Sequence, residues 1–387
     1  MHLTLAQLAI TGLLIALVPL TMVWISADAN KYRKLVWVAV FLTFDLIMFG
    51  AFTRLTDSGL GCPDWPGCYG LANPFLAHAE ISAAEALMPS GPVTLFKAWI
   101  EMTHRYLAMA IGVLGMAMMA QARRQWRQHR RDEFAPALPT ALFLFLCVQG
   151  GFGALTVTLK LQPAIVTLHL LFGMGLLAML VWLGARQDAA LAPPPPPRTG
   201  PLPVMRRIRL LALGSALLLL VQIALGGWVS TNYATLACTD FPLCDGQLLP
   251  PMDFEHGFTL WRELGKTAAG HYLPFSALTA IHWVHRSFAL VVVAVLGYTA
   301  YRAWGHAALR RSARAIAVVL LLQACTGLAT IYFNWPLAIA VLHNGGAALL
   351  VLFLTMLNYQ AKQQFEIARL AASGAASTQF SPVKHHQ

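Results

Sequence analysis

The sequence predicts an all-α integral membrane protein: an eight-helix core as two pseudo-symmetric four-helix bundles plus one extra N-terminal transmembrane helix. Three observations predict it. The 387-residue chain is 58% hydrophobic and only 11% charged, with runs of about 20 apolar residues, each enough to cross a bilayer core as a helix. A set of short motifs occurs twice in the same order. The basic residues cluster in alternate connections.

Hydropathy places nine spans at approximately 4–26, 35–55, 97–120, 137–158, 164–184, 208–230, 278–301, 313–333 and 336–358, with edges uncertain by several residues. The first begins MHLTLAQLAITG, without the Lys or Arg of a signal-peptide n-region, and is followed by Lys31, Arg33 and Lys34. It reads as a retained helix over residues 1–30, outside the repeat, with its N-terminus outward. Residues 31–185 form the first bundle and 208–360 the second. They are joined by a linker, 186–207, whose Pro193–Pro197 run predicts a stiff polyproline segment. The tail 361–387 is expected to be disordered.

The repeat defines the architecture. RLTDSGLGCPDWPGC at 54–68 precedes STNYATLACTDFPLC at 230–244 by 176 residues, and both contain Cys-x-Asp-x-Pro-x-Cys. Gln149-x3-Gly153-x2-Thr156 matches Gln323-x3-Gly327-x2-Thr330 at an offset of 174, as His169 matches His343; His104-Arg105 matches His285-Arg286 at 181. An even number of spans separates the copies, so they run in the same direction, related by a pseudo-twofold axis along the membrane normal.

Of the 27 Lys and Arg, 20 lie in 28–34, 121–135, 185–209, 302–314 and the tail after 358. By the positive-inside rule these segments are cytoplasmic, and the long loops 56–96 and 231–277 face outward. The net charge of +11 is accounted for by anionic lipid and requires no nucleic acid.

Four histidines lie within spans, two per repeat: His104, His169, His285 and His343. An intramembrane imidazole needs a partner, so its default reading is functional. Counted from the outer ends of their helices, taken as Lys97, Pro163, Ala277 and Pro336, they sit six to eight residues in, or about 9–12 Å at ~1.5 Å per residue. Facing side chains at one depth can supply both axial ligands of a heme. The bland alternative is four core histidines bonded to backbone carbonyls. Zinc is less suitable, because the pairs lie on separate helices without a cysteine nearby in the membrane. The loop cysteines, spaced Cys-x5-Cys on the oxidising face, read as two small-loop disulfides, Cys62–Cys68 and Cys238–Cys244, structural or redox in role. Cys147 and Cys325 read as core thiols.

The repeat is broken where chemistry is expected. Asp57 is matched by Tyr233, Arg54 by Ser230 and Glu101 by His282, leaving the acids in the first half. Glu101 stands i, i+3 to His104, close to the imidazole or to a propionate-binding group, or else pairs with Lys97 or Arg105. Asp57, placed at roughly histidine depth, can serve as a general base or as a turn residue in Thr-Asp-Ser-Gly. Arg105 and Arg286 either bind propionates or snorkel to the outer surface.

Together RLTDSGLGCPDWPGC, EMTHR, IHWVHR, the Gln-x3-Gly spans, VTLHLLFG and AVLHNGG resemble the heme A synthase family, over approximately residues 31–360. The resemblance implies oxidation of the C8 methyl group of heme O to the formyl group of heme A. This would proceed by successive hydroxylations through an alcohol and a geminal diol, for cytochrome oxidase assembly. It implies heme b as cofactor in the C-terminal bundle, with His285 and His343 as iron ligands and Arg286 at the cofactor. His104 and His169 would serve the substrate heme, with Arg54, Glu101 and Arg105 as substrate-binding residues. Asp57 matches a catalytic acid that is usually Glu in the family, one methylene longer. The loop cysteines match the disulfide-bearing bacterial branch. Expected partners are heme O synthase, an electron-transfer partner, the lipid of a bacterial inner membrane and a second copy of the chain. The C-terminus would be cytoplasmic and the active site toward the periplasm. Three other classes compete: a bis-heme electron carrier of quinol-linked cytochrome b type, a parallel-repeat transporter, and a prenyltransferase, which needs Asp-rich motifs absent from these spans.

Overall fold

In the computed structural model, residues 2–191 and 200–379 are described. The elements are α1 (His2–Ile25), α2 (Lys31–Leu55), α3 (His78–Leu87), α4 (Leu95–His129), α5 (Ala137–Thr158), α6 (Pro163–Leu191), α7 (Leu202–Thr231), α8 (Phe254–Gly257), α9 (Phe275–Trp304), α10 (Arg310–Tyr332) and α11 (Leu337–Gln379). Among the described residues nine helices are long and apolar enough to cross a membrane. The two others, α3 and α8, belong to the long loops and pack on α4 and α9. The Pro193–Pro197 run lies outside the described residues. Within the tail expected to be disordered, α11 continues from residue 361 to Gln379, and residues 380–387 lie outside the described residues.

Helix ends follow local chemistry. Asn30 caps α2, its side chain accepting from Arg33 N at 2.9 Å. Thr94 caps α4 through Lys97 N at 3.2 Å. These side chains satisfy amides that have no partner inside the helix. Two consecutive left-handed residues make the short α5–α6 turn, Lys160 and Leu161, and two more make the α10–α11 turn, Asn334 and Trp335. These pairs are 174 residues apart, as are the histidines that follow them. Asp57 and Tyr233, and Tyr69 and Asp245, are further left-handed pairs at an offset of 176. The repeat is therefore written in the backbone as well as in the motifs.

Helices α2, α4, α5 and α6 pack as one ring and α7, α9, α10 and α11 as the other. In the first ring α4 and α6 stand at opposite corners, and in the second α9 and α11 do. The rings meet along α2 and α6 against α7 and α11. One apolar core runs through both, including Leu114, Leu177, Leu180, Leu296 and Leu357, all fully buried. Lipid is as apolar as such side chains, so close packing and buried hydrogen bonds must hold the helices together. Ser215 and Thr299 share one such bond at 2.8 Å, and Asn358 Nδ2 donates to Ala212 O at 3.0 Å. Outside the repeat, α1 lies against α4 and α2, with Gly12 allowing the approach to Met109.

Cys147 and Cys325 are exposed rather than in the core. On spanning helices that exposure faces the hydrocarbon, where a thiol is an acceptable small apolar group.

Candidate functional site

The four histidines lie on the diagonal helices: His104 on α4 facing His169 on α6, and His285 on α9 facing His343 on α11. Within each pair the two rings lie near enough to influence one another, His169 with His104 and His343 with His285. Each ring is seated against a glycine of the neighbouring helix in its ring. A Cβ built on Gly50 would lie 3.0 Å from His104 Cε1, on Gly226 2.9 Å from His285 Cε1, on Gly327 3.2 Å from His343 Cε1 and on Gly153 3.3 Å from His169 Cε1. Sequence reasoning used Gly153 and Gly327 only as repeat landmarks and passed over Gly50 and Gly226, which their common offset of 176 marks.

The two pairs differ in the atom behind each ring. His343 Nδ1 lies 2.9 Å from Thr326 Oγ1, which donates to Gln323 O at 3.1 Å. His285 Nδ1 lies 3.2 Å from the Gln222 amide. The Nδ1 atoms of His104 and His169 are buried without a partner among the described residues. The positions equivalent to Gln222 and Thr326 hold Leu46 and Phe152, and Phe152 stacks edge-on against Phe172 at 4.7 Å. His104 has Phe49 beside it, stacked at 6.2 Å between ring centroids. Gln149 Nε2 donates to His169 O at 3.0 Å, and its repeat partner Gln323 approaches His343 Nε2 at 3.3 Å.

Both expected disulfides are present, Cys62–Cys68 and Cys238–Cys244. Each closes a small loop above its bundle, and the Asp of Cys-x-Asp-x-Pro-x-Cys caps that loop. Asp64 accepts from Tyr69 N at 2.7 Å and Gly70 N at 2.6 Å; Asp240 accepts from Asp245 N at 2.6 Å and Gly246 N at 3.0 Å. The arginine after each N-terminal histidine of a pair reaches up to these loops. Arg105 donates to Asp64 O at 3.0 Å and Gly67 O at 2.5 Å, and Arg286 to Asp240 O at 2.7 Å and Leu243 O at 2.9 Å. Neither simply snorkels to the surface. Arg286 keeps Nη1 buried and unpartnered among the described residues, a donor still available to an anion. In Arg105 both terminal nitrogens have partners, the second being Glu101 Oε1 at 2.5 Å.

Glu101 is buried, and its other oxygen accepts from Cys62 N at 2.8 Å. Its carboxylate thus ties α4 to the disulfide loop instead of lying at the imidazole. Asp57 stands just past the C-cap of α2, seven residues beyond the Gly50 that touches His104. There its half-exposed carboxylate accepts from Tyr233 Oη at 2.6 Å and Arg54 Nη1 at 3.2 Å. Burial raises the Tyr233 phenol above its ordinary value, which keeps it a donor. Arg54 lies 4.1 Å over the Tyr233 ring and donates to Ser230 O at 2.6 Å. Arg54 with Ser230 and Asp57 with Tyr233 are equivalent positions, so this cluster joins the bundles at the pseudo-twofold axis.

Fold and site together define a polytopic α-helical membrane protein of two like bundles, with one facing histidine pair in each. The chain belongs to the cytochrome oxidase assembly protein family, whose model matches residues 33–355. It is 36% identical over 330 residues to the heme A synthase of Shewanella oneidensis, covering 84% of this chain and 96% of that one. It is 29% identical over 365 residues to the heme A synthase of Methylobacterium radiotolerans, covering 89% and 94%. With that of Symbiobacterium thermophilum it shares 30% identity over 289 residues, covering 73% and 79%.

Proposed function

We propose that this chain is a heme A synthase, an oxidoreductase that converts the C8 methyl group of heme O to the formyl group of heme A. The observation that carries the reading is the seating of four intramembrane histidines as two diagonal pairs, each ring on a glycine of the next helix. The residues fit a heme in each bundle. Among the described residues no hydrogen-bond donor reaches the ring of His104 or His169, which leaves each a lone pair for a metal. A pair of histidines on opposite corners of a four-helix bundle is a recurrent way to hold a heme from both faces.

Heme b is assigned to His285 and His343, with Arg286 Nη1 placed to meet a carboxylate of the cofactor. His104 and His169 are assigned to the substrate heme. When bound, the iron centres supply the redox capacity, which no protein side chain here offers. The chain's own contribution is to hold the rings level, exclude water with the apolar walls of each bundle and close the outer end with the disulfide loops. Asp57 is assigned a proton-handling role through water, because its carboxylate lies outward of the histidines. Arg54, Glu101 and Arg105 act on the substrate side by holding the loop and the bundle interface in place. The loops and site face the periplasm and the C-terminus the cytoplasm of a bacterial inner membrane, on the distribution of Lys and Arg.

Co-expression with a heme O source, followed by heme extraction, tests the activity: heme A is expected, and its absence refutes the reading. His285→Ala and His343→Ala are expected to abolish a low-spin heme b spectrum. An intact spectrum in both removes the cofactor assignment. Asp57→Asn is expected to keep heme b and lower heme A yield, and normal yield takes Asp57 out of the reaction. A bis-heme carrier would instead purify with two b hemes and make no heme A.

A further inference from the structure

The two histidine pairs are superposable by the repeat but not equivalent in what stands behind each ring. In the C-terminal bundle both Nδ1 atoms have polar neighbours, Thr326 for His343 at 2.9 Å and Gln222 for His285 at 3.2 Å. In the N-terminal bundle both Nδ1 atoms are buried with none among the described residues, and Phe152 and Leu46 occupy the corresponding positions. We propose that Thr326 is a positioning residue that makes the C-terminal pair a permanent heme site, whereas Phe152, at the equivalent position, leaves the N-terminal pair able to release its heme. This rests on the assignment of the resident heme to His285 and His343.

The physical argument is clearest at His343. The Thr326 hydroxyl already donates to Gln323 O at 3.1 Å, so toward the imidazole its oxygen acts as an acceptor. That requires the proton on Nδ1 and leaves Nε2 with its lone pair, the tautomer an iron ligand needs; here that lone pair meets Gln323 Nε2 at 3.3 Å. Hydrogen bonding through the far nitrogen also fixes the ring's rotation and raises its basicity, and both strengthen the bond to a metal. Gln222 Nε2 donates to His285 O at 3.2 Å and faces His285 Nδ1 as a donor, so it limits the turn of that ring from α7 without setting the tautomer. Neither device is available to His104 or His169. A phenylalanine and a leucine supply shape without an acceptor, so those rings bind through Nε2 with no fixed tautomer behind them. A substrate must leave after reaction, and a cofactor must stay. The difference falls on the side each role requires.

The test uses the purified full-length protein as Thr326→Val, Thr326→Ser and Phe152→Thr variants. Heme per chain, the rate of heme transfer to apomyoglobin and the midpoint potential are measured. Thr326→Val is expected to speed loss of the tightly held heme by roughly 10–100-fold, the usual effect of removing such a partner, and to raise its potential. Thr326→Ser, which keeps the hydroxyl, is expected to restore both. Phe152→Thr is expected to slow release from the N-terminal pair, which reads the same effect if Thr326→Val does not fold. A wild-type rate and potential in Thr326→Val, or an unchanged rate in Phe152→Thr, overturn the inference. Full retention of the tightly held heme in His343→Ala would overturn the underlying assignment instead, so the two failures are distinguishable.

Discussion

Replacing Gly226 by Ala puts one methyl group where the structure has none to spare. The added carbon would lie 2.9 Å from His285 Cε1, against the roughly 3.5–4.0 Å of an ordinary carbon–carbon contact. Either the imidazole moves by roughly 0.6–1 Å or α7 and α9 part. Overpacking of this kind costs about 1–3 kcal/mol, or about a 5–150-fold loss in the equilibrium it opposes. Because the displaced group is the proposed ligand, that loss is expected in heme affinity. Gly151→Ala is the control: nothing stands within 4 Å of its Cβ, and Ala in a helix is favoured over Gly by roughly 0.5–1 kcal/mol. Titration of heme-depleted protein, read at the Soret band, should give weakened binding for Gly226→Ala and wild-type binding for Gly151→Ala. Gly50→Ala, at 3.0 Å, should harm the N-terminal pair more than Gly153→Ala, at 3.3 Å. Equal affinity in Gly226→Ala and Gly151→Ala would refute the claim that these glycines seat the rings.

Glu101→Ala leaves Arg105 without its buried partner and is expected to destabilise the protein by about 3–5 kcal/mol. Thermal unfolding in detergent checks this, and the Glu101→Ala/Arg105→Ala double variant should lose less than the sum of the two single losses. Arg54→Ala removes the bond to Ser230 O and the pairing with Asp57 at once, and is expected to cost about 1.5–3 kcal/mol. Tyr233→Phe, at a half-exposed site, should cost less than about 1 kcal/mol; the reverse order in unfolding experiments would refute the network. Asp253 caps α8 by accepting from His256 N at 3.0 Å, which holds its carboxyl below its ordinary 3.8. A depressed folded value gives stability that is present above 3.8 and is lost as pH falls below it. Trp228, whose indole donates to Gly257 O at the end of α8 at 2.8 Å, should report this by fluorescence only below about pH 3.8, and Asp253→Asn should abolish the transition.

The spans, their repeat and the histidine pairing were legible in the chain because each depends on local physics. A helix in lipid must satisfy its own backbone and show an apolar run, and duplicated motifs keep their spacing. Both disulfides were legible for the same reason, since the cysteines of each are six residues apart and close a loop of their own. The α11 extension was missed because polarity after residue 360 reads as a tail, whereas the helix simply continues. Cys147 and Cys325 were misplaced because the lipid-facing and inward faces of an all-apolar helix look alike in sequence.

The chain read alone names candidate residues and shows that they come in two sets. What each polar side chain does there emerged from the packing of the helices. Spacing along α4 puts Glu101 one turn before His104 and Arg105 directly after it but does not tell which way they reach, and both reach up to the Cys62–Cys68 loop. Asp57 and Tyr233 are 176 residues apart, yet they touch because the axis relating the bundles passes between them. The four histidines likewise look alike in the chain. Their inequivalence resides in Thr326 and Gln222, contributed by neighbouring helices, because a hydrogen bond to Nδ1 depends on packing across the bundle and not on distance along the chain.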